Sequence, residues 1–259
     1  MDDREAVREL VVAAGDMAAR MRLGVAVHRK ADASFVTDAD LAVQDHLVRG
    51  LRERFPGDAV VGEEQDLGRD RSDARRVWVL DPIDGTASYK AGLPGWGVSV
   101  GLVEDGQSAA GWFHMPLTGD LFEAGAGFGM VLNGQPARVT RPEAFHRETA
   151  IFIDSGFHKR FLLAPTFPGK VRSLGTTAGH LAYVAAGCAD AAILHDVHVW
   201  DFAAAAAMLR HAGGVLRYLD GGDVNLADYL AGEDALRLMV AGDSETVARL
   251  TGLISRREP

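Results

Sequence analysis

The run Trp78-Val79-Leu80-Asp81-Pro82-Ile83-Asp84-Gly85-Thr86 sets two carboxylates three residues apart, with a hydroxyl just beyond them. An apolar, β-branched segment delivers the first carboxylate. Proline then predicts a turn, and Gly-Thr opens the next element. Hard oxygen ligands grouped in this way suit a divalent cation acting on an anionic substrate. The same residues also make an ordinary Asp/Pro/Gly turn. Three more clusters bear on the choice. Val60-Val61-Gly62-Glu63-Glu64 again places carboxylates after a β-branched run, and Val197-His198-Val199-Trp200-Asp201 leads into an alanine-rich segment. Phe35-Val36-Thr37-Asp38-Ala39-Asp40 is the last. Each has a bland alternative: Glu64 as a solvated loop charge, Asp201 and Asp38 as helix N-caps. Together, in one acidic chain, they favour chemistry.

A phosphate monoester is one anionic substrate that such a site would suit. It is doubly charged and repels an attacking hydroxide. Metal ions neutralise the charge, lower the pKa of a bound water toward ~7 and stabilise the leaving alkoxide. Magnesium prefers carboxylates, water and phosphate oxygens. Glu63, Asp81, Asp84 and Asp201 provide four carboxylates, with Asp81 placed to bridge two ions. Backbone N–H groups of Gly85 and Thr86, opening a short helix, suit a phosphate. Glycine at 85 lets the main chain approach closely. His195 and His198 flank the Trp-Asp pair but fit the rim or core better than a magnesium shell.

In order along the chain, Gly62-Glu63-Glu64, Asp81-Pro82-Ile83-Asp84-Gly85-Thr86 and Trp200-Asp201 leading to Ala212-Gly213-Gly214 form a set. With Arg172-Ser173-Leu174-Gly175-Thr176 and Ala189-Asp190-Ala191, this set resembles the inositol monophosphatase family of magnesium-dependent, lithium-sensitive phosphatases. Their superfamily also includes fructose-1,6-bisphosphatases. The resemblance implies a layered α-β-α-β-α sandwich of the sugar-phosphatase type and a homodimer. It implies that Glu63, Asp81 and the Ile83 carbonyl hold a first Mg2+. Asp81, Asp84 and Asp201 hold a second, and a weaker third lies near Glu63. Thr86, backed by Asp40, orients the attacking water. Gly85, Thr86, Gly175, Thr177 and Asp201 meet the substrate, and Lys30 matches a lysine near a mobile metal loop.

One position departs from the pattern. Inositol-specific members carry a glutamate six residues before the tryptophan, where this chain has Leu194. His195 and Asp196 are adjacent, but on an extended segment they point to opposite faces. Inositol 1-phosphate is therefore expected to be a secondary substrate. Fructose 1,6-bisphosphate, histidinol phosphate and a nucleotide bisphosphate are alternatives on the same site, the last fitting less well. A regulatory protein-binding role for the same fold is the alternative of a different class, although no metal ligand is missing.

Two rivals fail on spacing. Haloacid-dehalogenase-type phosphatases separate their aspartates by one residue and carry them near the chain start. An EF-hand needs an Asp/Asn ladder ending in glutamate, which does not run from Asp81. The 259 residues, 47% hydrophobic, suffice for one large domain or two joined ones. A net charge of −9 opposes general nucleic-acid binding. The single cysteine, Cys188, excludes an internal disulfide and is expected to be buried. Neither a signal peptide nor an apolar run of membrane-spanning length is evident, so a cytoplasmic location is expected.

The elements that must position these residues are mixed α and β. Val7, Leu10, Val11, Ala14, Met17, Ala18 and Met21 recur at helical spacing, predicting a helix over 6–21. A second helix over 41–54 stops at Phe55-Pro56-Gly57. Strands are predicted at 59–62 and 77–80, then a meander at 96–103, 109–115 and 120–124, and a hairpin over 131–139 around Asn133-Gly134. Beyond Arg141-Pro142, strands at 151–154, 171–174, 191–194, 215–218 and 238–241 combine with helices at 177–186, 201–211 and 244–254. This predicts an α+β half at 1–140 carrying most metal ligands. An α/β half at 141–259 would carry Asp201 and substrate contacts.

Overall fold

The computed structural model describes residues 2–22, 27–29, 35–64, 74–230 and 236–257. The chain opens with helix α1 (Asp3–Met21), the short pair β1 (Val27–Arg29) and β2 (Phe35–Thr37), and α2 (Asp38–Arg54). Then come β3 (Ala59–Gly62), β4 (Arg76–Asp84), α3 (Thr86–Ala91), β5 (Gly97–Glu104), β6 (Gln107–Met115), β7 (Asp120–Gly125), β8 (Gly129–Leu132) and β9 (Gln135–Pro136). The second half holds β10 (Ala150–Ile153), α4 (Phe157–Arg160), β11 (Phe161–Leu163), β12 (Lys170–Arg172), α5 (Thr177–Ala185) and β13 (Ala191–Leu194). It ends with α6 (Val199–His211), β14 (Val215–Tyr218), β15 (Met239–Gly242), α7 (Ser244–Thr251) and β16 (Ile254–Arg256).

Strands β3 to β9 form a seven-stranded sheet in chain order, parallel at β3–β4 and antiparallel thereafter. A five-stranded sheet runs β12-β10-β13-β15-β14, with the first three strands parallel. Apolar faces stack these elements. Val7, Val11, Val43 and Leu47 of α1 and α2 cover Trp78, Leu80, Val98 and Val100 on one face of the large sheet. Its other face, with Val79, Phe113 and Phe122, meets Leu181 of α5 and Phe202 of α6, which in turn meet Phe152 and Leu194 of the smaller sheet. On the far side, Ile151, Ile193 and Val240 pack against Val247 and Leu250 of α7. The result is the α-β-α-β-α sandwich implied by the resemblance. Among the described residues, no helix is long and apolar enough to cross a membrane.

The alanine run of α6 has a packing reason. Gly101 and Gly111 face each other across β5 and β6. A Cβ on Gly111 would lie 2.2 Å from the Ala204 carbonyl oxygen, and one on Gly101 would lie 2.7 Å from the Ala204 nitrogen. Helix backbone therefore rests directly on sheet backbone, a distance that only small residues on both partners permit.

Three local expectations are corrected. Helix α2 begins at Asp38, and its N-cap is Thr37, whose hydroxyl accepts from the Ala39 and Asp40 N–H groups. Asp40 closes the box by accepting from the Thr37 N–H at 2.7 Å. Pro82 does not end β4. The strand continues to Asp84 through a register shift, with Asp81 opposite Ser99 and Asp84 opposite Gly97. A bulge absorbs the extra residue, and proline, lacking an N–H, is tolerated there. Cys188 is exposed rather than buried, just past the left-handed Gly187 that follows α5. Burial around the sulfur, with the Asp120 charge nearby, still holds its thiol pKa up, against a nucleophilic role.

Candidate active site

The β4 bulge aims two aspartates at a third. Asp81 and Asp84 are buried, Asp201 is half-buried, and one carboxylate oxygen of each lies within 4.8 Å of the others. Asp201 is the third residue of α6, not its N-cap. Its Oδ2 accepts from the N–H of the capping residue His198 at 2.7 Å, which fixes its rotamer. The His198 ring stacks on Trp200 at 4.6 Å.

Asp84 is gripped by the first turn of α5. Its Oδ1 accepts from the Thr177 N–H at 3.1 Å, and its Oδ2 accepts from the Ala178 N–H at 2.7 Å and from the Thr176 hydroxyl. A helix N-terminus favours negative charge. Burial nevertheless dominates and holds the Asp84 carboxyl up to about 6. Burial also lifts Asp81 well above the carboxylate range, and the charges of Glu63, Asp84, Asp201 and Asp40 add to it. Asp81 Oδ1 accepts from the Ile83 N–H at 3.0 Å.

Asp40 is fully buried on α2. Its Oδ2 is taken by Thr37, while its buried Oδ1 has no hydrogen-bond partner among the described residues. Burial pushes its carboxyl to about 6, with the Glu63 charge contributing. Glu63 follows β3 and stands outside the three-aspartate group, close enough for its charge to act on both Asp40 and Asp81. Gln44, which the sequence did not single out, clamps this turn: its Oε1 accepts from the Glu64 N–H at 3.0 Å.

The glycines allow the remaining approach. Gly85 has φ +95°, and a Cβ there would lie 2.7 Å from the carbonyl oxygens of both Gly175 and Gly95. Gly175 has φ +86°, and its Cβ would strike Ser88 Oγ at 2.2 Å. Residues 85–88 and 175–177 therefore lie against each other beside the aspartates. Thr86 opens α3, and its hydroxyl donates to the Ile83 carbonyl oxygen at 3.1 Å. Tyr89 ties α3 to α1 by donating to the Ala18 carbonyl oxygen at 2.8 Å.

The expected residues Asp81, Ile83, Asp84, Gly85, Thr86, Gly175, Thr177 and Asp201 thus meet in one place, with Asp40 and Glu63 at its edge. Lys30 lies outside the described residues. Leu194 is fully buried between the sheets. Asp196 adopts φ +62°, so the segment after β13 is not extended there, and the strand alternation expected for His195 and Asp196 does not apply. The His195 ring packs on Phe161 at 5.1 Å.

The donor set fits a hard divalent cation. Oxygen donors converge, buried, and repel one another without one. Stability should therefore depend on pH and on metal together. In the metal-free chain, Asp40 and Asp84 have raised pKa values. They contribute stability that is fully present below the ordinary carboxylate range and lost as pH rises through about 6. A cation binds the ionised forms. The rise in thermal midpoint on adding magnesium should be small near ~pH 5 and several degrees near ~pH 7.5, at ~2–4 °C per kcal/mol for a chain of this size. Equal rises at both pH values would contradict it.

Buried acids beside backbone amides of two helix N-termini, set on a layered sandwich, define a phosphatase that works on phosphate monoesters. The chain belongs to the inositol monophosphatase family, whose model matches residues 3–249. It is 38% identical over 204 residues to an inositol-1-monophosphatase, ImpA, of Mycolicibacterium smegmatis, covering 74% of this chain and 73% of that protein. It is 33% identical to a histidinol-phosphatase of Chlorobaculum parvum, covering 74% and 76%. The solved inositol monophosphatase of Thermotoga maritima shares the fold at a TM-score of 0.82 and 24% identity, with 97% of each chain covered.

Proposed function

We propose that the chain is a magnesium-dependent phosphomonoesterase of a small sugar, cyclitol or related phosphate. The observation that carries this is the convergence of Asp81, Asp84 and Asp201 within 4.8 Å. Glu63, Asp81 and the Ile83 carbonyl would hold one ion. Asp81, Asp84 and Asp201 would hold a second, and a weaker third would lie near Glu63. Bound ions would neutralise the ester's charge, acidify water and stabilise the leaving oxygen. The chain's own residues do the rest. Thr86 would orient the attacking water through its hydroxyl, backed by the buried carboxylate of Asp40. The N–H groups of Gly85 and Thr86 seat the phosphate. Gly175 and Thr177 would border the ring of the substrate, the Thr177 N–H being held by Asp84. In this reading the halves at 1–140 and 141–259 both supply ligands to the site. Lithium inhibition, a homodimer and a cytoplasmic location complete it.

The burial of Leu194 supports a substrate other than inositol 1-phosphate as the preferred one, since a leucine in the core offers no partner to a ring hydroxyl. Phosphate release from inositol 1-phosphate, histidinol phosphate and fructose 1,6-bisphosphate, with magnesium and with or without lithium, tests this. At least one ester other than inositol 1-phosphate should be turned over faster, and lithium should inhibit. A strong, selective preference for inositol 1-phosphate would overturn the substrate assignment.

A further inference from the structure

We propose that Asp154 selects the substrate by accepting a hydrogen bond from a hydroxyl or ammonium group at the end remote from the phosphate. The inference rests on the phosphatase reading and deepens it. Its first support is topology. Strands β12, β10 and β13 are parallel neighbours, so their carboxyl ends share one edge of the sheet. The chain leaving β12 reaches the first turn of α5, which grips Asp84. The chain leaving β13 reaches the first turn of α6, which carries Asp201. Between them the central strand β10 ends at Ile153, and the next residue is Asp154. Ligands of parallel sheets bind outside the carboxyl ends of the strands. Asp154 therefore follows the strand that lies between the two whose connections lead to the helix starts at the aspartate cluster.

The second support is an unused acceptor. Asp154 Oδ1 accepts from the Gly156 N–H at 2.6 Å. Its Oδ2 is buried and has no hydrogen-bond partner among the described residues. Burial raises the carboxyl above its ordinary range. The Gly156 N–H engages Oδ1 and the Phe157 N–H also acts on the carboxylate, yet Oδ2 keeps no hydrogen bond of normal geometry among the described residues. Buried polar atoms without partners are rare in folded proteins and mark places where another donor belongs.

The His195 charge acts on Asp154 from the segment after β13. Arg160 Nη1 lies 3.3 Å from His195 Nε2, and its Nη2 lies 3.9 Å from an Asp196 carboxylate oxygen. Its guanidinium is thus directed to the segment after β13, although its charge and those of His195 and Asp196 remain nearby. The register pairs Ile153 with Ile193, so Asp154 follows β10 at the level where Leu194 closes β13. Leu194 turns into the core, and Asp154 is a carboxylate at the same level on the neighbouring strand.

Three esters test the assignment: inositol 1-phosphate with free hydroxyls, histidinol phosphate with a free amine, and p-nitrophenyl phosphate with neither. In Asp154→Ala, kcat/KM for at least one donor-bearing ester should fall ~10-fold or more relative to p-nitrophenyl phosphate, chiefly through KM. Asp154→Asn keeps an acceptor for Gly156. A loss there confined to histidinol phosphate identifies an ammonium, whereas a loss in Asp154→Ala alone identifies a hydroxyl. Ratios within ~2-fold of wild type in both variants would overturn the proposal. If Asp154→Ala fails to fold, Asp154→Asn and the wild type decide. The wild type should then show a ~10-fold higher KM for the preferred ester's counterpart lacking its donor group, and an equal KM would overturn the proposal. Hydrolysis of p-nitrophenyl phosphate with unchanged ratios defeats only the Asp154 assignment. A wild type that hydrolyses none of the three with magnesium defeats the phosphatase reading, and this inference with it.

Discussion

Asp84→Asn should lower kcat ~10³-fold, and added magnesium should not restore it. The aspartate serves two partners at once. One is the shared ion site, where its charge is needed. The other is the first turn of α5, where its two oxygens accept from Thr177, Ala178 and Thr176. Asparagine offers one acceptor and turns an NH2 toward donors. At least one N–H at the start of α5 then loses its partner, at ~1–3 kcal/mol. Relief of repulsion with Asp81 offsets part of that cost. The variant should therefore fold with a lower thermal midpoint in magnesium than wild type. Activity within tenfold of wild type would remove Asp84 from the ion site.

Thr86→Ala should behave differently. Its hydroxyl is outside the aspartate cluster, so the magnesium-dependent rise in thermal midpoint should persist. Turnover should fall ~10²–10⁴-fold, the range for loss of one positioning or proton-transfer group. The lost bond to the Ile83 carbonyl is half-exposed at the threonine, so water can replace it and the stability change should be small. Thr86→Ser keeps a hydroxyl and should recover most of the rate. Steady-state kinetics of the two variants, beside their melting curves with and without magnesium, check this. A normal rate in Thr86→Ala would take the residue out of the mechanism.

The acidic residues that converge were more legible in the sequence than the residues that hold them. Asp81, Asp84 and Asp201 stand in local motifs, and local composition marks where each element ends. Thr176 stands out only as part of a motif, because its bond to Asp84 joins residues 92 positions apart. Gln44 was invisible for the same reason, reaching across 20 positions to Glu64. The α2 start was legible in principle. Thr37 followed three residues later by Asp40 has capping-box spacing, but aspartate replaces the usual glutamate. Pro82 suggested a turn because proline lacks an N–H, and a bulge satisfies the same constraint within a strand. Cys188 misled because apolar neighbours suggested burial, while a left-handed glycine beside it turned the chain outward. The layering came from family resemblance. Its physical basis, Gly101 and Gly111 under the alanines of α6, needs two strands and a helix brought together from distant segments.

The carboxylates on β4 and α6 are expected to support phosphate release only with a divalent cation. Phosphate release should be measured on one preparation in three states: as purified with magnesium, after exhaustive chelation, and after magnesium is returned. Chelation should remove nearly all activity, and return of magnesium should restore it. Chelated protein that keeps full activity would contradict it.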